Sequence, residues 1–175
     1  PLRWTKILLT TPSLLLTACE IPNLVFDNVL DVEDSDVPGI TFNPGVAEAS
    51  VGGTATVKIY VMEVDNLGGV HAQVQFDYTR LTVTSVAAGT FFGGAAVSAP
   101  IFIQENDGVG TLDISTFYMG AGNGVSGTGD IATIVFTANT SGDTFLNFTD
   151  YTQMADADGN IITIQSKTRG MVVAK

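Results

Sequence analysis

The chain has 175 residues, 45% hydrophobic and only 14% charged, which suffices for the core of one domain with a short appendage. Its formal net charge is −11, from seven basic and eighteen acidic residues, and such an acidic, lysine-poor chain repels phosphate backbones, which excludes nucleic acid as a partner. One cysteine and one histidine exclude an internal disulfide and a Cys/His zinc cluster.

Residues 1–19 have the layout of a bacterial export signal. Arg3 and Lys6 form a basic start, and an apolar stretch follows over residues 7–16. Trp4 suits a membrane interface beside these charges. The apolar stretch is shorter than the ~20 residues that a membrane-spanning helix needs, and Pro12 interrupts it. We therefore predict a signal or anchor segment rather than an ordinary transmembrane helix.

The end of this segment, Leu16-Thr17-Ala18-Cys19, resembles a lipobox, the signature of bacterial lipoproteins. The resemblance implies cleavage before Cys19 and a lipid on its thiol. An uncut anchor and a simple buried segment are the alternatives. The start at Pro1, of the kind left when an initiator methionine is trimmed, favours a segment that stays uncut. Either way, we expect the body to be membrane-anchored outside the cytoplasm, in the periplasm or at the cell surface of a bacterium.

Residues 20–39 are predicted to form an acidic tether. Pro22 prevents a helix from continuing, and the run from Asp31 to Asp36 is typical of a solvated spacer. The tether nevertheless carries more apolar residues than a bare linker needs, Leu24 and Phe26 among them. These two are candidates for packing against the domain or against another subunit.

Residues 40–175 show the alternation of a sheet protein. Val57, Ile59 and Val61 share one face of a strand, and the stretch from Val70 to Phe76 repeats the pattern. Turn residues break every run, which favours an all-β, antiparallel β-sandwich of about nine strands with jelly-roll-like connections. We predict strands near residues 40–43, 54–62, 69–77, 81–87, 101–104, 110–118, 130–137, 144–148 and 161–165, and a final one over 170–174.

Four segments of this body resemble the cohesin domain: residues 53–59, 70–83, 127–136 and 156–162. The second pairs a strand ending in Phe76-Asp77 with a short turn and a Leu-x-Val strand, and the third matches the Gly-x-Gly-x-Leu-Ala-x-Ile-x-Phe strand, with Ile131 at its leucine position. The resemblance implies a cohesin sandwich and a non-enzymatic binding module. Cohesins are receptors for dockerin modules in cellulose-degrading assemblies. It does not fix a dockerin as the partner, because partner choice depends on the surface residues of one sheet.

Asp156, Asp158 and Asn160 form the one weak metal candidate. Alternating oxygen ligands suit Ca²⁺, but the glycine comes fourth here and no bidentate glutamate follows. An Asp-Gly-Asn sequence before a strand is also typical of a hairpin turn, and we favour the turn. We therefore expect no cofactor, with Ca²⁺ as the alternative.

No group of residues in the sequence forms a recognisable catalytic arrangement. His71 is out of phase with its apolar neighbours and is predicted to face solvent, with no nucleophile beside it in the sequence. Glu63 and Asp65 follow the end of a predicted strand, where a solvated loop is favoured over an acid/base pair. No nucleophile elbow, phosphate loop or metalloprotease motif is present, so we expect no enzyme.

Two apolar loops are candidates for partner binding. Phe91 and Phe92 either cap the core or form an exposed docking surface, and Tyr118 and Met119 in a glycine-rich loop suit strand-end packing or a partner contact. The leading hypothesis is a membrane-tethered module that binds a protein, as an accessory subunit of a larger membrane complex. The alternative is a cell-surface carbohydrate-binding module that stacks sugars on its tyrosines: Tyr60, Tyr78, Tyr118 and Tyr151.

Overall fold

The structure is a computed structural model that describes residues 36–94, 99–120 and 122–175. Several predictions made above lie outside these residues: the export signal with Arg3, Trp4 and Lys6, the lipobox with Cys19, and the tether residues Leu24 and Phe26. Within the described ranges, no helix has the length and hydropathy that crossing a bilayer would require.

Twelve strands and one short 3₁₀ helix make up the described part of the chain. The strands are β1 Gly39–Asn43, β2 Val46–Ala49, β3 Thr54–Gln75, β4 Leu81–Ala88, β5 Ile101–Asn106, β6 Thr111–Phe117, β7 Val125–Ala138, β8 Gly142–Phe148, β9 Gln153–Asp156, β10 Ile161–Ile162, β11 Ser166–Lys167 and β12 Gly170–Ala174. The 3₁₀ helix, Phe91–Gly94, follows β4.

The strands form two layers that share β3. In sheet 1, the first half of β3 pairs with β7 on one side and β1 on the other, and β4 and β11 extend this sheet outwards. In sheet 2, the second half of β3 pairs with β6, which pairs with β5, and on its other side with β9 and β8. Strand β10 pairs with β9. Strand β12 pairs with β8, and β2 pairs with β12 at the edge of this sheet. The architecture is the predicted all-β sandwich.

The inward residues of both layers form one core. Val57 and Ile59 of sheet 1 and Val74 and Ile114 of sheet 2 are completely or almost completely buried, as their alternation predicts. Aromatic pairs add geometric order to the core. Phe42 on β1 stacks on Phe148 of β8 with ring centroids 4.2 Å apart, and Phe76 meets Phe136 edge-on at 5.4 Å. The Phe42–Phe148 stack joins the two layers.

Strand β3 differs from the sequence prediction, which placed two strands around a solvated loop. It runs unbroken for 22 residues because two irregularities are built into its pairing with β7. Glu63 and Asn66 adopt positive φ values of 45° and 53° there, which non-glycine residues seldom do. The hydroxyls of Thr128 and Ser126 on β7 accept the N–H groups of Glu63 and Asn66. These contacts replace regular ladder bonds and carry β3 from one layer into the other.

Other differences concern short strands. The sequence analysis missed β2, β9 and β11, whose few residues show little alternation. The strand expected over residues 161–165 is only two residues long as β10. The short turn that follows Phe76-Asp77 is closed by two hydrogen bonds, in which the N–H groups of Arg80 and Leu81 both donate to the Asp77 carbonyl.

Candidate functional site

The outer face of sheet 2 is formed by alternate residues of β3, β5, β6 and β9. Val70, Ala72 and Val74 of β3 are buried, so the residues between them point outwards. The pairing register extends the same face across the neighbouring strands. Its outward residues are Ile101, Ile103 and Glu105 on β5, Thr111, Asp113, Ser115 and Phe117 on β6, His71, Gln73 and Gln75 on β3, and Gln153 and Ala155 on β9.

A polar network occupies the centre of this face. His71 Nε2 lies 3.2 Å from Asp113 Oδ1, and His71 Nδ1 lies 3.0 Å from the Ser115 hydroxyl. Because a carboxylate only accepts, the neutral tautomer that satisfies both contacts has Nε2 donating to Asp113 and Nδ1 accepting a hydrogen bond from the Ser115 hydroxyl. Gln73 Nε2 donates to the same Asp113 oxygen over 2.9 Å, and the Thr149 hydroxyl donates to Gln73 Oε1 over 2.7 Å. The network holds these side chains in place on the surface.

Serine, histidine and aspartate therefore meet in a way that sequence reasoning missed. The signal was the β3–β6 register, which pairs His71 with Ser115 and Gln73 with Asp113. The trio lacks the surroundings of a nucleophilic site. Ser115 is in the middle of β6, which is paired with β3 on one side and β5 on the other, so the backbone around Ser115 is engaged in the sheet. An oxyanion hole needs free donors beside the nucleophile. The arrangement fits a polar binding patch.

An apolar row crosses the same face beside the polar network. Ile101, Phe117, Gly69, Ala155 and Ile161 are register partners on five successive strands. The Ile161 side chain at one end is 69% exposed. Ile103, which neighbours Ile101 on β5, is 54% exposed. Exposed apolar side chains gathered on one face are typical of a docking surface.

A groove opens over the centre of the apolar row, where Gly69 has no side chain. One part, of about 230 Å³, lies between Phe117 and Ile161 and has Ala155 in its lining. The adjoining part, of about 380 Å³, extends towards Asp156 and Asp158 in the β9–β10 turn. We call the two parts together the Gly69 groove.

Capping of the core and partner docking were the two roles considered for Phe91 and Phe92, and the contacts of Phe92 fit the cap. Phe92 is only 2% exposed and meets Tyr118 edge-on, and the Tyr118 hydroxyl donates to the Phe92 carbonyl. Phe91 is half-buried, and its ring lies so close to Gly129 that a Cβ there would be 2.4 Å away. Phe92 and Tyr118 therefore pack together against the core and expose little surface. Met119 remains 66% exposed at the end of β6.

The Asp156 carboxylate is engaged in its own turn. Oδ1 accepts the N–H groups of Asp158 and Asn160, and Oδ2 accepts Asn160 Nδ2. The hydrogen bonds from the Asn160 side chain and backbone hold the pKa of Asp156 below its ordinary value. This geometry is that of the favoured hairpin turn. In the part of the chain that the structure describes, no three His, Cys, Asp or Glu side chains are grouped to hold a metal ion.

Glu63 and Asp65 do not form the acid/base pair considered above. Their carboxylates accept hydrogen bonds from the hydroxyls of Thr128 and Ser126, respectively, at 2.9 and 2.8 Å. Both residues thus take part in the β3 irregularities. The tyrosines considered for sugar stacking are also separated: Tyr78 and Tyr151 are exposed but lie in different turns.

Comparison with known proteins places this sandwich in a family. The family model described as the cohesin domain matches residues 40–173. A search of curated proteins finds no match. Among solved structures, a non-cellulosomal cohesin from the archaeon Archaeoglobus fulgidus has a TM-score of 0.63 at 18% identity, with 78% of this chain and 91% of that one covered.

Two further structures have the same fold. The cohesin CaCohA2 from Clostridium acetobutylicum has a TM-score of 0.64 at 20% identity over 78% of this chain and 91% of its own. The sixth cohesin of scaffoldin B from Acetivibrio cellulolyticus, solved in complex with a dockerin, has a TM-score of 0.62 at 16% identity over 78% and 99%. With a matching family model across most of its length, the chain belongs to the cohesin domain family, whose members are non-catalytic and typically extracellular binding modules.

Proposed function

We propose that this module binds a protein partner of the dockerin class through the outer face of sheet 2. The observation that carries the proposal is the apolar row beside a fixed polar network. Protein interfaces combine a few apolar anchors with polar groups whose positions are set before binding. The His71–Asp113–Ser115 contacts supply the fixed polar groups, and Ile103 and Ile161 supply exposed anchors. The dockerin bound to the scaffoldin B cohesin gives the partner class.

The outer face of sheet 1 offers a weaker docking surface. Threonines dominate it, among them Thr54 and Thr56 on β3 and Thr133 and Thr137 on β7. All the large hydrophobic side chains that are exposed within described strands belong to sheet 2. These side chains are Val46, Ile103, Phe145 and Ile161. Because desolvation of apolar area drives most protein association, sheet 2 is the favoured face.

The test is binding of the full chain to a panel of purified dockerin modules, measured by biolayer interferometry. The Ile103→Asp variant is expected to bind at least tenfold more weakly, because a buried charge replaces an anchor that contributes about 2 kcal/mol. Val51→Asp is the matched control, since Val51 is 49% exposed in the turn after β2 and is not on β3, β5, β6 or β9, whose residues form this face. A panel without any binder, or equal losses in both variants, would refute the proposal.

We also infer that residues 1–19 hold the module at a membrane, with Cys19 as the lipidated residue. The support is the order of the segment, a basic start, an apolar stretch and the Leu-Thr-Ala-Cys ending, together with the typically extracellular placement of cohesins. In this arrangement the acidic tether sets the distance between membrane and sandwich. The module then acts as a displayed accessory subunit that recruits its partner to the cell envelope.

A further inference from the structure

The floor of the Gly69 groove is formed by two glycines at positions where the neighbouring strands leave no room for a side chain. A Cβ on Gly69 would lie 2.8 Å from Phe117 Cβ. A Cβ on the neighbouring Gly68 would lie 2.6 Å from the Asp156 carbonyl oxygen. Real Cβ atoms do not approach other atoms this closely, so the two glycines let the walls on β6 and β9 stand near β3. Because no side chain of β3 fills the space at Gly69, the groove is open to a group from outside.

The two parts of the groove differ in chemistry. The smaller part has apolar walls formed by Phe117, Ala155 and Ile161, and polar residues at one side: His71, Ser115 and Gln153. Its volume of about 230 Å³ is below the range of about 300–1,000 Å³ that is usual for small-molecule sites, and it suits a protein side chain. The larger part has Asp156 and Asp158 in its lining. A largely apolar space thus adjoins an acidic one.

The negative charge beside the groove persists at neutral pH. Hydrogen bonds from Asn160 lower the pKa of Asp156, which keeps its carboxylate ionised. Asp158, in the same turn, is the second carboxylate that lines this part. A cation in this part of the groove would meet two acidic side chains.

The basic residues of the sandwich are already engaged elsewhere. Lys58 pairs with Asp130 and Lys175 pairs with Glu48, while Arg80 pairs with Asp77. The two others are Lys167, whose Nζ donates to the Thr149 carbonyl, and Arg169, which lies 4.5 Å over the Phe145 ring. None of the five basic residues in the described ranges lines the groove. The complementary charge must come from the partner.

We propose that the Gly69 groove binds a partner segment in which a large aliphatic residue has a lysine or arginine within a few residues. The aliphatic side chain enters the space between Phe117 and Ile161. The cationic side chain reaches Asp156 and Asp158. This inference rests on the proposed function and names the partner chemistry that the binding face selects.

The test uses three synthetic peptides of twelve residues and the isotope-labelled full chain. The first peptide has a central leucine flanked by lysines, the second replaces the leucine by serine, and the third replaces the lysines by glutamates. Amide shifts of Gly68, Gly69 and Ala155 report occupancy of the groove. We expect the first peptide to bind at least tenfold more tightly than either of the others. At about 1 M salt, where screening acts over ~3 Å, its affinity should fall several-fold.

Two variants assign the effect to the groove. Ile161→Ser and Asp158→Asn should each weaken binding of the first peptide at least threefold, whereas Asp150→Asn, which removes a charge from a different turn, should not. Equal binding of the first two peptides would reveal charge attraction alone, and unchanged groove amides would show that the site is elsewhere. Either result overturns the inference. If the chain binds a dockerin but not the first peptide, only this inference is refuted. If it binds the first peptide but no dockerin, only the dockerin proposal is refuted.

Discussion

Single glycines set the distance between strands where β3 meets its neighbours. At Gly68 the limiting atom is the backbone oxygen of Asp156, which cannot rotate away as a flexible side chain would. Any side chain at this position must displace β9. The same position controls how closely the β9–β10 turn approaches the groove, so packing and recognition depend on one missing methyl group.

We predict that Gly68→Ala destabilises the fold by about 1–3 kcal/mol, the usual cost of forcing extra atoms into a packed site. Gly93→Ala is the control, because a Cβ on Gly93 has no atom within 4 Å and its φ is ordinary. The control should change stability by less than about 0.5 kcal/mol. Urea unfolding followed by fluorescence measures both variants. Similar midpoints for the two would contradict the role assigned to Gly68.

One buried carboxylate fastens the segment between β4 and β5 to β7. Asp130 accepts the Thr90 N–H and the Thr90 hydroxyl and lies 3.2 Å from Lys58 Nζ. Burial alone would raise the pKa of Asp130. The hydrogen bonds from Thr90, followed by the contact with Lys58, outweigh burial and leave that pKa below its ordinary value. The 3₁₀ helix with Phe91 and Phe92 follows directly and is held against the core.

The lowered pKa of Asp130 predicts acid sensitivity. Its stabilising effect is present above the unfolded pKa of about 3.9 and is lost as the pH falls through the lower folded value. Asp130→Asn should therefore reduce stability by about 1–3 kcal/mol at pH 7 and flatten the loss between pH 6 and 2. Urea midpoints across this range test the prediction, with Asp150→Asn as the charge control. A slope like that of the wild type would contradict it.

The elements show where sequence reasoning succeeds and where it stops. Alternation located both halves of β3 and the outward position of His71, because strand geometry is local. The unbroken passage of β3 through Glu63 was not predictable, since it depends on the Thr128 hydroxyl 65 residues away. The apolar row likewise needs the registers of five strands at once, although every residue in it was visible in the sequence.

At the scale of the whole molecule, the membrane attachment inferred above has a direct test. Intact mass spectrometry of the chain purified from its native membranes should give the mass of residues 19–175 plus a lipid. Cys19→Ser should abolish the lipid increment and leave the chain uncut, because the modified thiol is missing. A wild-type mass equal to the full unmodified sequence would exclude the lipoprotein assignment and favour an uncut anchor.

The first two strands of the sandwich each run parallel to one of the last two. Val46–Ala49 pairs in parallel with residues 171–174, and Gly39 and Ile40 pair in parallel with Ser166 and Lys167. If the amino end is held at a surface while a load pulls on the carboxyl end, the two strands of each pair are drawn along their axes in opposite directions. Their inter-strand bonds must then shear together instead of opening one after another. A receptor built in this way is suited to stay folded under mechanical tension.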